Sequence, residues 1–363
     1  MLDEAPYAKN VLPEVAPGPR RRIRALTINL ALFGATAALL AVTAEFVFRH
    51  RYDHMIRKQR DTVDAVQPWV KQHPELGYTW IENVKANDDI RFDINDIEPR
   101  PLSTDEFGVC NPPGAIAQRK QGRPVDIVGV GDSFMEMAAN VFYERFRATD
   151  QLYYSAAIMR YCPAQYTDML RSVAIPMKPM TILYGVFEND FLEIEDYDNW
   201  RRSGIPWFDY HSGTWCGPPT GVTPLARFLK RTTRGWSAFY RVIEARIWGE
   251  RISTTRPSPG QVSRVRDEIA DAAEIAHSHG IRFLVLLIPS KRTAIHGSSP
   301  ESVEYDRLLS ELGDSIQFLD LRPIFRAVPD PSTLYYVTDG HWNDTGCEVA
   351  CQAVLEWLDR KGV

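Results

Sequence analysis

"DIVGVGDSFMEM", residues 126–137, sets the reading of this chain. An apolar run stops on Gly131, Asp132 and Ser133. A buried strand is followed at once by a small hydroxyl behind an acid. Such a stretch is either an ordinary strand-to-helix turn or a place that exposes a serine for chemistry. "GDS" alone does not separate the two, because Gly, Asp and Ser are common turn residues. A base, a group to orient it and donors for an oxyanion must come from elsewhere in the chain.

Working outward, apolar runs alternate with helical patterns. Strands are expected in "VDIVGVG" (125–131), "LYYSAAI" (152–158), "MTILYGVF" (180–187), "IRFLVLLIP" (281–289) and "IQFLDL" (316–321). Several are almost continuously hydrophobic, as in strands covered on both faces. Helices are expected near 135–149, 164–174, 261–279, 301–312 and 344–360. Gly280 would end the third of these, with His277 and His279 at its close rather than on a metal. This alternation implies an α/β fold with a parallel sheet layered by helices.

The N-terminal region is of another kind. After "RRRIR" (Arg20–Arg24), residues 25–44 run without a charge. About 20 apolar residues suffice to cross a bilayer as a helix. The chain divides into a basic cytoplasmic tail (1–24), a transmembrane anchor (25–48), a membrane-proximal helix and loop-rich preamble (49–122), and a main domain (123–361). The arginines before the span favour a cytoplasmic N-terminus, with the main domain periplasmic or extracellular. Cleavage after "VTA" is the other reading, but the long leading segment and apolar length fit an uncleaved anchor better. A net charge of -5 gives no reason to expect nucleic acid. The five cysteines form no CxxC pair, and Cys347 and Cys351, four apart, read as small core residues. Residues 191–259 carry five of the nine tryptophans and break the strand–helix rhythm. They read as a helical, aromatic-rich insertion that packs on the sheet, caps a pocket or rests on the membrane surface.

In an open parallel sheet, ligands bind beyond the carboxyl ends of the strands. Ser133 follows the first strand there, Asn189 ("GVFENDF", 185–191) follows the third, and "YYVTDGHWNDTG" (335–346) brings Asp339 and His341 after the last. The set suits acyl transfer: Ser133 as nucleophile, His341 as general base then acid, Asp339 as its orienting carboxylate. Asn189 and the N–H of Ser133 would donate to the oxyanion. Asp132 and Asp190 read as structural holders of neighbouring turns. Asn343 or Asp344 would cap the last helix. Position 135 is Met, so the G-x-S-x-G elbow of the α/β-hydrolases is disfavoured.

"GDSF", "GVFEND" and "DGHWN" in this order resemble the SGNH, or GDSL, hydrolase and acyltransferase superfamily. The resemblance covers roughly 120–361 and implies a flavodoxin-like three-layer α/β/α sandwich with five strands ordered 2-1-3-4-5. By position, Ser133, Asn189 and His341 correspond to the serine, asparagine and histidine of the family blocks. "HPELGYTW" and "STDEFGVCN" are similar to the segment preceding the catalytic domain in membrane-anchored bacterial members. Two departures stand out. Thr338 occupies the place three before His341 where the family has Asp; the resulting D-x-H is similar to that of alginate-type O-acetyltransferases. The second-block glycine, an oxyanion donor through its N–H, is replaced by Arg160 or else Met159. Arg160 is also expected to meet an anionic substrate, and Trp342 to line the substrate site. The resemblance implies a serine-dependent esterase or O-acyltransferase without metal or organic cofactor. Its substrate would be an acyl ester or acylated envelope glycan, with a membrane protein as a further partner. A catalytically idle accessory subunit of a membrane complex is the competing reading.

Overall fold

The computed structural model describes residues 26–47, 50, 70–85, 103–210, 256–300, 302–336 and 340–360. Its frame is a five-stranded parallel sheet built from β5 (Ile127–Val130), β6 (Tyr153–Ser155), β7 (Thr181–Phe187), β8 (Arg282–Ile288) and β9 (Gln317–Asp320). The spatial order is β6-β5-β7-β8-β9, which is 2-1-3-4-5 within the sheet, and every pairing is parallel. The order reverses at β5, so the rim beyond the ends of β5 and β7 is a switch point where ligands are usually held. The central strands are apolar on both faces because helices cover both: β7 and β8 are buried almost end to end.

The covering helices are α3 (Ser133–Arg147), α4 (Pro163–Met169), α5 (Asp190–Ser203), α7 (Pro259–Ser278), α9 (Ser302–Leu312) and α11 (Asp344–Arg360). The short α2 (Pro113–Lys120), α6 (Trp207–Tyr210), α8 (Lys291–His296) and α10 (Leu321–Arg326) complete the set. Each of the five expected strands and helices is present, with ends moved by a few residues. Ser258 starts α7 with a capping box closed by Gln261, which fixes a start that periodicity alone leaves open. α5 corrects one expectation. The first part of 191–259 is a helix of the sandwich, burying Phe191 and Ile194, rather than the start of an insertion. Trp200 and Trp207 pack edge to face on each other and are buried, so they serve the core. Trp215, Trp236 and Trp248 lie outside the described residues.

Ahead of the sheet stand two antiparallel hairpins: β1 (Val70–His73) with β2 (Gly77–Trp80), and β3 (Ser103–Thr104) with β4 (Cys110–Asn111). They are fastened to the domain. The carboxamide of Asn111 receives the Ser155 N–H and donates to the Ser155 carbonyl, both at 2.8 Å, and thereby caps the free edge of β6. Cys347 and Cys351 are buried in α11, as expected of core residues. Leu26–Val47 forms one helix, α1, with a mean hydropathy of 1.9 over its most apolar window, long and apolar enough to cross a membrane.

Candidate active site

The site begins where β5 meets α3. Asp132 is the N-cap of α3; its side chain accepts the Phe134 N–H at 2.9 Å. Ser133 therefore sits on the first turn, where exposed N–H groups and the helix dipole favour negative charge. The following residue but one explains why the turn is not an α/β-hydrolase elbow. Met135 is fully buried, and a Cβ added at Gly131 or Gly185 would meet its Cγ at 2.5 or 2.4 Å. Those glycines let the Met135 side chain wedge between the helix and the central strands.

Across the rim, His341 Nε2 lies 2.7 Å from Ser133 Oγ, although the residues are 208 apart in sequence. The loop that delivers it is closed on itself. Tyr335 bridges Trp342, Tyr336 N–H donates to His341 O at 3.1 Å, and Asn343 N–H donates to Leu334 O at 2.9 Å. Lys291 reaches over from α8 to the Tyr336 carbonyl at 2.7 Å. Asn343 caps α11 through Gly346 N–H, one of the two capping residues expected. Asp339 lies outside the described residues.

Trp342 corrects another expectation. Placed by sequence at the substrate, it is instead fully buried, and its indole N–H donates to the Phe134 carbonyl at 2.8 Å. The neighbour of the histidine is thus tied to the neighbour of the serine. Phe134 stacks on Phe187 at 3.9 Å between ring centres and faces the His341 ring at 4.8 Å, giving the pair an apolar floor.

The third expected segment also arrives. Asn189 is the N-cap of α5, partly buried, at the carboxyl end of β7. The residues around it hold the turn. Asp190 accepts from Phe187 N–H at 2.9 Å and Tyr166 hydroxyl at 2.7 Å, the holding role read from sequence. Glu188 accepts from Ser290 N–H at 2.9 Å and Ser299 hydroxyl at 2.7 Å, tying the ends of β7 and β8 together. Asn189 Oδ1 is buried without a hydrogen-bond partner.

Arg160 is exposed and has φ +60°, the left-handed region that costs a side-chain-bearing residue about 1–2 kcal/mol and favours glycine. A glycine would adopt this conformation without strain. The adjoining turn is hung on the sheet by Ala156 N–H to Gly129 O and Ile158 N–H to Gly131 O.

The rim is acidic, and burial dominates its protonation. Burial pushes the Asp132 carboxyl up to about 6, opposed first by the Phe134 N–H and then by the His341 charge. Burial likewise raises Glu193 to about 7, with the Arg160 guanidinium as the main opposing influence. Asp190 is raised well above the carboxylate range by burial and by the neighbouring Asp132 charge. Sequence reading missed Glu193, though its place one helical turn after Asn189 is a signal that it shares a face with it. Among the described residues no three His, Cys, Asp or Glu side chains converge as a metal-ligand set.

Residues 249–363 match the family model described as an SGNH hydrolase-like domain, acetyltransferase AlgX. No curated protein matches the chain. Among solved structures, it is similar to a GDSL-like lipase from Bacteroides thetaiotaomicron at 10% identity and a TM-score of 0.39. That match covers 68% of this chain and 98% of the lipase. A lipase/acylhydrolase from Enterococcus faecalis matches at 9% identity and a TM-score of 0.40, covering 65% and 96%. The psychrotrophic esterase EstA from Pseudoalteromonas sp. matches at 10% identity and a TM-score of 0.36, covering 64% and 98%.

Proposed function

We propose that this chain is a membrane-anchored acyl-ester enzyme of the SGNH hydrolase kind that works through an acyl-serine intermediate, a reading supported by the match of residues 249–363 and by the 2-1-3-4-5 sheet. The observation that carries this reading is the 2.7 Å approach of Ser133 Oγ and His341 Nε2 at the sheet's switch point. With its Nε2 unprotonated, His341 takes the Ser133 proton as Oγ attacks the acyl carbonyl. Charge that develops on the carbonyl oxygen is met by the N–H of Ser133 at the α3 N-terminus, the Asn189 carboxamide and the N–H of Arg160. The imidazolium then protonates the departing oxygen, leaving the acyl group on Ser133. A second hydroxyl, from water or from a glycan, attacks in turn after His341 removes its proton. Asp339 is the proposed partner that fixes the imidazole tautomer.

The match of residues 249–363 to an acetyltransferase domain supports acetyl as the group carried. The helix Leu26–Val47 supports attachment to the inner membrane, with the domain on the outer side and an envelope glycan or lipid-linked glycan within reach. Incubating the purified chain with p-nitrophenyl acetate, with and without envelope polysaccharide, tests the reading. Free acetate alone marks an esterase, and acetylated polysaccharide marks a transferase. Release of nitrophenol no faster than by Ser133→Ala refutes both and leaves the idle accessory subunit.

A further inference from the structure

The buried groups between the preamble and the sheet are not used by the chemistry above, yet they end on the second-block turn. Glu136, one turn into α3, is 2% exposed. One of its oxygens accepts the Met159 N–H at 2.7 Å and the other accepts the Trp80 indole N–H at 2.6 Å. From the same hairpin the Tyr78 hydroxyl donates to the Met159 carbonyl. Both backbone groups of Met159 are therefore held, one by α3 and one by β2. Tyr161, two residues on, donates its hydroxyl back to the Tyr78 carbonyl, and the two rings meet edge to face at 5.4 Å. Between the held residues 159 and 161 stands Arg160, in the left-handed conformation. Gln165 completes the seam by donating to the Leu76 carbonyl at 2.7 Å.

We propose that Tyr78 and Glu136 are positioning residues for acyl transfer: clamping Met159 from both sides, they aim the Arg160 N–H at the oxyanion, so the hairpin Val70–Trp80 is part of the machinery. This rests on the acyl-serine reading. A glycine at this turn would choose its φ freely; an arginine needs its left-handed conformation imposed by neighbours. The clamp supplies that imposition. Buried carboxylates left without partners are costly, so Glu136 is kept only where both its donors stay in place. The carboxyl's raised value of about 7, caused by burial, agrees with this enclosed setting.

The experiment uses the full chain in detergent micelles, with p-nitrophenyl acetate as substrate at pH 8. Turnover is normalised to the serines that a fluorophosphonate labels, so a loss of folded protein does not count. For Tyr78→Phe the proposal expects kcat to fall at least tenfold with KM within twofold, because an oxyanion donor acts in the transition state. Glu136→Gln, which places an amide against two donors, is expected to fall further. Tyr78→Phe keeps the ring and removes one oxygen, so it decides the matter where Glu136→Gln does not fold. A normalised kcat for Tyr78→Phe within twofold of the parent, or a loss carried by KM, overturns the clamp. Absence of hydrolysis and labelling in the parent refutes instead the acyl-serine reading beneath it.

Discussion

Replacing Trp342 by Phe separates the base's positioning from its chemistry. Trp342 is fully buried and spends its indole N–H on the Phe134 carbonyl at 2.8 Å. Losing that hydrogen bond costs about 0.5–1.5 kcal/mol net. The space left by the missing ring adds roughly 1–2 kcal/mol, at the lower end of large-to-small core changes. At about 2–4 °C per kcal/mol for a domain of this size, Tm should drop by roughly 5–10 °C. The second consequence is kinetic. Trp342 is the covalent neighbour of His341, and Phe134 is that of Ser133, so the lost bond loosens the distance between imidazole and hydroxyl. Misplacement by ~1 Å can cost on the order of a hundredfold. Fluorophosphonate labelling of Ser133, followed well below the variant's Tm, should slow by tenfold or more. In a His341→Ala background the same change should have no further effect, because residues acting as one unit are not additive. A labelling rate equal to the parent's, with Tm lowered as calculated, would refute the tether and leave Trp342 as packing alone.

Three further outcomes follow from the same geometry. His341→Ala should abolish nitrophenyl ester turnover while circular dichroism and Tm stay close to the parent's, since the ring is only partly buried. Burial raises Glu136 from 4.5 to about 7, so its contribution to folding is full below pH 4.5 and is lost as pH climbs through 7. That loss is of the order of 3 kcal/mol, and urea titrations from pH 4.5 to 8 should show a flatter pH dependence for Glu136→Gln than for the parent. Arg160→Gly should be more stable than Arg160→Ala by about 1 kcal/mol in the same titrations, because only glycine occupies φ +60° without strain.

Much of the sandwich could be read from the chain because its strands are buried on both faces. Runs such as "IRFLVLLIP", short and almost wholly apolar, are what strands covered on both faces require. Ser133 and Asn189 were legible for a related reason: each follows a strand within three residues, and parallel strands deliver their ends to one rim, whereas His341 was legible from the loop that enters the last helix. Trp342 misled because a tryptophan beside a candidate base resembles a substrate contact. Its indole is instead turned inward to Phe134. The start of α5 was hidden by the count of tryptophans downstream, which drew the boundary of the insertion too early. The clamp on Met159 could not be read at all. It joins Tyr78, Trp80 and Glu136 across a sequence distance that no periodicity spans.

The acyl-serine account is tested most directly by mass spectrometry of the full chain after reaction with a fluorophosphonate. It predicts a single adduct on the peptide that carries Ser133, absent in Ser133→Ala and formed far more slowly in His341→Ala. An unlabelled parent, or a parent and His341→Ala labelled at the same rate, would contradict it.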